Sequence, residues 1–229
     1  MGGRGEASDP GSLYDTRFTE EENLAKDLIW RELARYLQRY VDPEQPVLDV
    51  ACDKGYFIRN IRADAKWAND IRERSADLPS DIQYVQADGL SLLKTLSPSF
   101  FGTIFMSNYL EHLPSSDAVV QQLQIAYELL RDGGRIVILQ PNIRLVGHAY
   151  WDFIDHKTAL TEKSLREAAD LAGFRPHTEI TRFLPYTSKS AFPKSPKIVR
   201  MYLALRWAWP VFGKQSLYVG ERASVSGSA

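Results

Sequence analysis

The sequence predicts an α/β fold, a doubly wound, mainly parallel seven-stranded sheet with an antiparallel last strand and helices on both faces. Three observations predict it. Short apolar runs suited to buried strands recur along the chain. Capped amphipathic segments separate several of them. The last two such runs can pair antiparallel. At 229 residues the chain is long enough for one α/β domain with a full core, and a single domain is expected over 1–229.

The elements follow in order. Thr19 to Tyr40 carries Leu24, Leu28, Leu33 and Leu37 at near-helical spacing, with Thr19 and Glu22 as a cap and Asp42-Pro43 as a stop. Pro46 to Ala51 is a buried-strand run, and Gly55 to Ile61 reads as a helix. Ala65 to Ala68, Ile82 to Val85 and Phe100 to Met106 are the next three strands. Asp117 to Arg131 is an amphipathic helix closed by Gly133-Gly134, and Arg135 to Leu139 is the fifth strand. Thr161 to Ala172 is a helix, capped by Thr161 and stopped by Gly173. Phe174 to Phe183 and Gln215 to Glu221 form the final pair.

Composition excludes several partners. With 28 Lys+Arg against 29 Asp+Glu, no global field draws the chain to nucleic acid or to an anionic membrane. A single cysteine, Cys52, forms no internal disulfide and suits a reducing compartment, so a cytoplasmic location is expected. No apolar run approaches the roughly 20 residues of a transmembrane helix. Residues 1–18 read as a flexible N-terminal arm, rich at first in Gly, Ser and Asp. Oligomeric state is not legible.

In sheets of this kind ligands sit at the carboxyl ends of the strands. Four strand ends carry polar chemistry: Asp49-Val50-Ala51-Cys52-Asp53-Lys54-Gly55, then Asp70, then Asp88-Gly89, then Ser107-Asn108-Tyr109-Leu110-Glu111-His112-Leu113. A tight strand-to-helix turn lets backbone approach a ligand. An acid about 20 residues later can accept both ribose hydroxyls. A third acid can take an adenine amine. One nucleoside with a cationic amino-acid tail satisfies all of them.

These residues resemble the class I S-adenosylmethionine-dependent methyltransferases, especially the small-molecule group described as types 11 and 23. The pattern V-L-D-x-G-x-G-x-G appears as Val47 to Gly55, with Ala51 and Asp53 in place of its first two glycines. S-N-x-L-E-H-L is intact from Ser107 to Leu113, and L-x-x-G-G-x-x-x-x-x-x-P-N runs from Leu130 to Asn142. T-x-x-S-L-x-x-x-x-x-x-A-G-F is intact from Thr161 to Phe174. The resemblance covers Tyr14 to Glu221 and implies the Rossmann-like methyltransferase fold with S-adenosylmethionine as cofactor. It implies that Asp49, Ala51, Asp53 and Gly55 lie under the methionine part, and that Asp70, with Ile71 beside it, holds the ribose. It places Asp88 and Gly89 at the adenine and Asn108 near the methyl. It also implies that an N-terminal segment, with Tyr14 and Arg17, folds over the cofactor.

Each feature has a plainer reading. Cys52 is a packed loop residue, since no base adjoins it. Asp70 can cap the turn after it through the Ile71, Arg72 and Glu73 amides. Asp88 can serve its own turn. Glu111 and His112 can be a solvated turn. Tyr14 to Phe18 can merely staple the first helix. Asp152, Asp155 and His156 are too few for a metal, and none is expected. Asp tolerates a left-handed backbone, so the turn can form at Asp53, whose carboxylate then either grips the cofactor's ammonium or strains the loop. A nicotinamide dehydrogenase is disfavoured, because Asp53 would repel a pyrophosphate. A non-catalytic cofactor-binding or scaffold module is the alternative of another class.

Methyl transfer to a hydroxyl needs a base. His156 or His112 is expected to supply it, with Asp155, Asp152 or Glu111 orienting the ring. The acceptor is expected to be a small molecule, a sugar or a glycosylated or natural-product intermediate. An amino sugar methylated on nitrogen is the alternative. Residues 184–213 read as an inserted basic aromatic cap. Between Glu179 and Glu221 there is no acid, while Arg182, Lys189, Lys194, Lys197, Arg200, Arg206 and Lys214 alternate with aromatic residues. A helix is expected from Lys197 to Trp209, with Ile198, Met201, Tyr202 and Leu205 on one face. That composition suits an anionic or lipid-linked glycan acceptor, with weak association to anionic lipid as a variant.

Overall fold

The computed structural model describes residues 20–186 and 195–224. Tyr14, Arg17, Thr19 and the arm 1–18 lie outside the described residues, as do Lys189, Phe192 and Lys194. The strands are β1 (Val47–Val50), β2 (Lys66–Asp70), β3 (Ile82–Gln86), β4 (Phe101–Ser107), β5 (Leu130–Pro141), β6 (Phe174–Leu184) and β7 (Gln215–Arg222). They form one sheet in the order β3-β2-β1-β4-β5-β7-β6. All pairs through β5 are parallel, and β7 runs antiparallel between β5 and β6.

The helices are α1 (Glu20–Leu37), α2 (Tyr56–Asn60), α3 (Ser116–Leu129), α4 (Ile143–Val146), α5 (Glu162–Leu171), α6 (Pro196–Ala204) and α7 (Trp209–Phe212). Strand side chains alternate between faces, and the core divides accordingly. Leu48, Val50, Ile104, Met106, Ile136 and Ile138 join α3 and α5 in one layer. Val47, Phe105, Val137, Leu139, Leu217 and Val219 join α1, α2, α6 and α7 in the other. No helix among the described residues is long and apolar enough to cross a membrane.

Local chemistry sets several boundaries. Thr161 and Ser164 form a reciprocal capping box at α5, and Gly173 ends it at φ 97°. The crossover from β2 to β3 carries only a 3-10 turn, Ser75–Asp77, so Asp70 precedes no α-helix. Only the C-terminal half of α1 is buried as its spacing predicts: Leu33 and Leu37 lie in the core, whereas Leu24 and Leu28 are exposed. β6 ends at Leu184 opposite Gln215, which also pairs with Pro141 at the end of β5. The inserted segment therefore leaves and re-enters the sheet at the carboxyl end of β5.

The insertion departs from its predicted face. In α6 the buried residues are Tyr202 and Leu203, while Met201 is exposed. The helix stops at Ala204, and Trp209 turns back beneath it, its Nε1 donating to the Tyr202 carbonyl at 2.9 Å. Tyr202 donates to the Phe183 carbonyl at 2.7 Å. Arg200 holds Glu32 through two bonds of 2.8 and 2.6 Å, which keeps the buried Glu32 carboxyl below its ordinary range. Arg200 therefore clamps α6 to α1 and is not a free ligand for an anionic acceptor.

Candidate active site

The parallel strands end in register: Val50 lies beside Asn69 and Met106, Asp70 beside Gln86, and Ser107 beside Leu139. The loop after β1 leaves this edge with three alternate residues in left-handed conformation: Ala51 (φ 55°), Asp53 (φ 49°) and Gly55 (φ 67°). These are the three positions where the sequence pattern calls for glycine. Gly55 has a second reason, since a Cβ there would sit 2.2 Å from Leu78. Left-handed backbone costs an L-residue roughly 1–2 kcal/mol, less for Asp. Ala51→Gly is thus expected to raise unfolding stability by about 1 kcal/mol, net of glycine's entropy. Denaturant titration checks it, and a destabilised variant would show that Ala51 packing outweighs the strain.

Asp53 does more than tolerate the turn, since one of its carboxylate oxygens meets two arginines. Its carboxylate lies 3.2 Å from Arg72 and 3.5 Å from Arg74. Its amide donates to Asp70 Oδ2 at 3.0 Å. Asp53→Gly relieves the backbone but releases two arginine contacts of modest worth. A stability change smaller than that of Ala51→Gly is expected in the same titration, and a large loss would make the pairs dominant. Arg72 and Arg74 escaped the sequence reading. An acid standing where the pattern needs no charge was the available sign that nearby cations would answer it.

Asp70 is buried at 4% exposure. Besides the Asp53 amide, it accepts from the Arg72 amide at 3.0 Å and from Arg72 Nε at 3.3 Å. A carboxylate has about four acceptor positions, so this geometry leaves one, and more if Arg72 Nε swings away. The turn role thus combines with room for a ribose hydroxyl. Ile71 is exposed beside it. Asp49 is buried and accepts from the Ile58 amide; burial lifts its carboxyl well above the ordinary range, so it anchors the loop from below. Cys52 is buried too, and burial pushes its thiol up, which makes it a packing residue.

Asp88 is exposed and caps the turn Gly89–Lys94 through one oxygen, 3.0 Å from the Leu90 amide. Gly89 packs closely under the Tyr109–Gln122 pair, since a Cβ there would lie 2.3 Å from the Tyr109 hydroxyl and 2.6 Å from Gln122 Oε1 and would displace one of those side-chain ends. Asn108 is exposed at φ 48°, and its amide bonds the Leu139 carbonyl at 3.0 Å. Backbone placement thus sets Asn108 at the joint of β4 and β5.

The turn after β4 and the segment after β5 meet in a second cluster. Donor atoms of Glu111, His112 and His156 lie within 4.8 Å of one another. His156 Nδ1 is 2.7 Å from the Tyr150 carbonyl, and His112 Nδ1 is 3.0 Å from the Asp155 carbonyl. A carbonyl only accepts, so each ring carries a hydrogen on Nδ1 and donates it there. The Asp155 carboxylate lies 3.7 Å from His112 Nδ1. Asp152 is exposed. Tyr150 is fully buried, donates to the Thr158 carbonyl at 2.7 Å and packs its ring on His156. The 3-10 turn Gly147–Asp152 carrying it reaches the histidine in a way no local spacing announces.

Glu111 is the feature that sequence reasoning undervalued. It is 1% exposed, its Oε2 has no hydrogen-bond partner, and burial, reinforced by Asp155, raises its carboxyl to about 8. Its backbone carbonyl accepts from the Lys157 and Thr158 amides at 2.8 and 3.0 Å, which ties the turn after β4 to the His156 segment.

Residues 21–179 match the family described as a methyltransferase domain. No curated protein matches the chain. Among solved structures, an S-adenosylmethionine-dependent methyltransferase from Archaeoglobus fulgidus is 20% identical, with TM-score 0.64 over 93% of this chain and 100% of that one. A possible histamine N-methyltransferase from Thermotoga maritima is 13% identical, with TM-score 0.64 over 93% and 96%. A geranyl diphosphate C-methyltransferase from Streptomyces coelicolor is 13% identical, with TM-score 0.58 over 83% and 78%. The matched family spans most of the chain and includes both clusters at the strand ends, and the chain therefore belongs to the class I S-adenosylmethionine-dependent methyltransferases, an enzyme whose cofactor is S-adenosylmethionine.

Proposed function

We propose that the enzyme methylates a hydroxyl of a sugar or glycosylated intermediate, and that the acceptor is carried on an anionic or lipid-linked group. The observation that carries this reading is the pair of histidines, His112 and His156, each ring oriented by a backbone carbonyl at its Nδ1, where the turn after β4 meets the segment after β5. A hydroxyl acceptor needs a base, whereas an amine is deprotonated by solvent. Aromatic rings surround the pair: Tyr150 and Phe153 pack on His156, and Phe153 meets Tyr186 at the start of the insertion. Such faces suit a sugar ring. The similar folds include a possible histamine N-methyltransferase and a geranyl diphosphate C-methyltransferase, so the acceptor is argued from this chain's own residues.

The residues present fit the cofactor. The loop after β1 turns through left-handed backbone at Ala51, Asp53 and Gly55, and Asp70 keeps an acceptor position. Asp88 is exposed, with one oxygen beyond its cap. Bound S-adenosylmethionine supplies an electrophilic methyl on a sulfonium. The protein's part is to align the acceptor oxygen with that carbon–sulfur bond, exclude water and accept the hydroxyl proton at a histidine nitrogen.

Asp70→Ala is expected to weaken S-adenosylmethionine binding by about 1.5–3 kcal/mol, roughly 10- to 150-fold, as the loss of a charged hydrogen bond. It should also lower stability, because the Asp53 amide loses its acceptor. Calorimetry with the cofactor and its demethylated product checks the first effect. Unchanged affinity would remove Asp70 from the ribose site. The acceptor class is tested by transfer of labelled methyl to nucleotide sugars, lipid-diphosphate sugars and amino sugars. Methylation confined to amino sugars would overturn the hydroxyl reading.

A further inference from the structure

The inserted segment leaves much of its apolar surface uncovered. Met201 is 56% exposed, Trp207 72%, Val211 66% and Phe212 49%. They fall on three consecutive short elements: α6, the 3-10 turn Arg206–Ala208 and α7. Four large apolar side chains this close in sequence exceed the scattered exposure normal for a surface. The same elements are held firmly from beneath by Tyr202, Leu203, Ala208 and Trp209, so the outward face is set by packing.

The segment's own charges have one sign, although Glu179 lies near Arg206 and Glu32 pairs with Arg200. Residues 180–220 contain no Asp or Glu. Lys197, Arg206 and Lys214 are exposed among the apolar residues, and Arg206 lies over the Trp209 ring at 5.3 Å. The segment's ends adjoin the active site: the Lys214 amide bonds the Leu184 carbonyl at 2.7 Å, and the Lys214 carbonyl accepts from the Asn142 amide at 3.0 Å. Asn142 opens the stretch that carries His156. A soluble anionic ligand would use the cations but leave the tryptophan and phenylalanine in water. A lipid surface uses both, since aromatic and aliphatic side chains enter the headgroup boundary while cations meet lipid phosphates.

We propose that residues 196–214 form an interfacial surface that seats this enzyme on an anionic lipid membrane, with Met201, Trp207, Val211 and Phe212 in the headgroup boundary. The proposal rests on the lipid-linked acceptor reading and gives it a mechanism. Docking brings the carboxyl edge of the sheet, with its histidines, to the surface where a lipid-anchored glycan is displayed.

The test is sedimentation of the full chain with sucrose-loaded vesicles, of phosphatidylcholine alone or mixed equally with phosphatidylglycerol. Binding to the mixed vesicles, weakened on pure phosphatidylcholine and by added salt, is expected. The exposed-residue variant Trp207→Ser/Val211→Ser/Phe212→Ser should lose at least about tenfold of that partition. Lys197→Glu/Lys214→Glu should abolish the preference for anionic vesicles. Calorimetry with S-adenosylmethionine should find both variants unchanged, which shows that they fold. Absent wild-type sedimentation, or equal sedimentation of the serine variant, overturns the proposal. So does concentration-dependent self-association abolished by the same variant, which would make the surface an interface between copies. If vesicles bind but soluble nucleotide sugars are methylated as well as lipid-linked ones, the lipid-linked part of the acceptor reading falls while docking and the anionic sugar acceptor stand.

Discussion

His156→Ala is expected to reduce turnover by about 10²–10⁴-fold at saturating cofactor and acceptor, the range for loss of a general base. Cofactor affinity should be retained. The ring is held by the Tyr150 carbonyl at 2.7 Å and flanked by Tyr150, Phe153 and His112, so its basic nitrogen is oriented before the acceptor arrives. His112 is held at 3.0 Å by a carbonyl of the facing loop and lies 5.1 Å from His156, ring centre to ring centre. His112→Ala is therefore expected to lose less. His156→Gln preserves size and hydrogen bonding but not basicity, and should be as inactive as the alanine variant. If neither histidine variant loses about tenfold, no histidine base operates, and an amine acceptor replaces the hydroxyl. Turnover abolished by a chelator and restored by a divalent cation would instead recast Glu111, His112 and His156 as metal ligands, since they are two imidazoles and a carboxylate in close array.

The pH dependence of stability should show a large effect from Glu111. Its carboxyl stays protonated to about 8 in the folded protein, against an ordinary 4.5. The unfolded chain releases the proton first, so the folded state binds more protons throughout that window. Stability is then fully present below about 4.5 and declines as pH rises toward about 8, by roughly 1.4 kcal/mol for each unit between. Glu111→Gln keeps the shape and removes the ionisation. Its stability should be nearly level in that range, and at pH 8 it should exceed the wild type by several kcal/mol. Urea titrations at pH 5 and pH 8 measure both, and equal slopes for the two proteins would mean that Glu111 ionises normally. The same substitution leaves the basic nitrogens in place, so a lost pH slope with retained turnover separates a packing acid from a catalytic one.

Much of the fold was written in local pattern. Apolar runs of strand length, a Thr161–Ser164 cap and the Gly173 stop each report a short-range preference, and the sheet assembled from them as expected. Where expectation failed, a distant contact decided. In α6 Tyr202 is buried as its face predicts, whereas Leu203 is buried and Met201 stands in solvent, and Trp209 folds back to bond the Tyr202 carbonyl. Arg200 looked like a phosphate ligand until it met Glu32, 168 positions away in sequence.

The sequence by itself determined the class of fold and, through the family it resembles, the cofactor, and it set the loop from Asp49 to Gly55, Asp70 and Asp88 at strand ends, because each lies within one strand and its following turn. Only the tertiary structure decided how those groups are used. Arg72 and Arg74 answer the carboxylate of Asp53, Tyr150 orients His156, and Glu111 is shut away from water beside two histidines. The physical reason is one of range. Dihedral preference and capping act over a few residues and leave a mark in the order of the chain. Burial and ion pairing depend on which loops the sheet brings together at its edge, and that is settled only when the strands are in register.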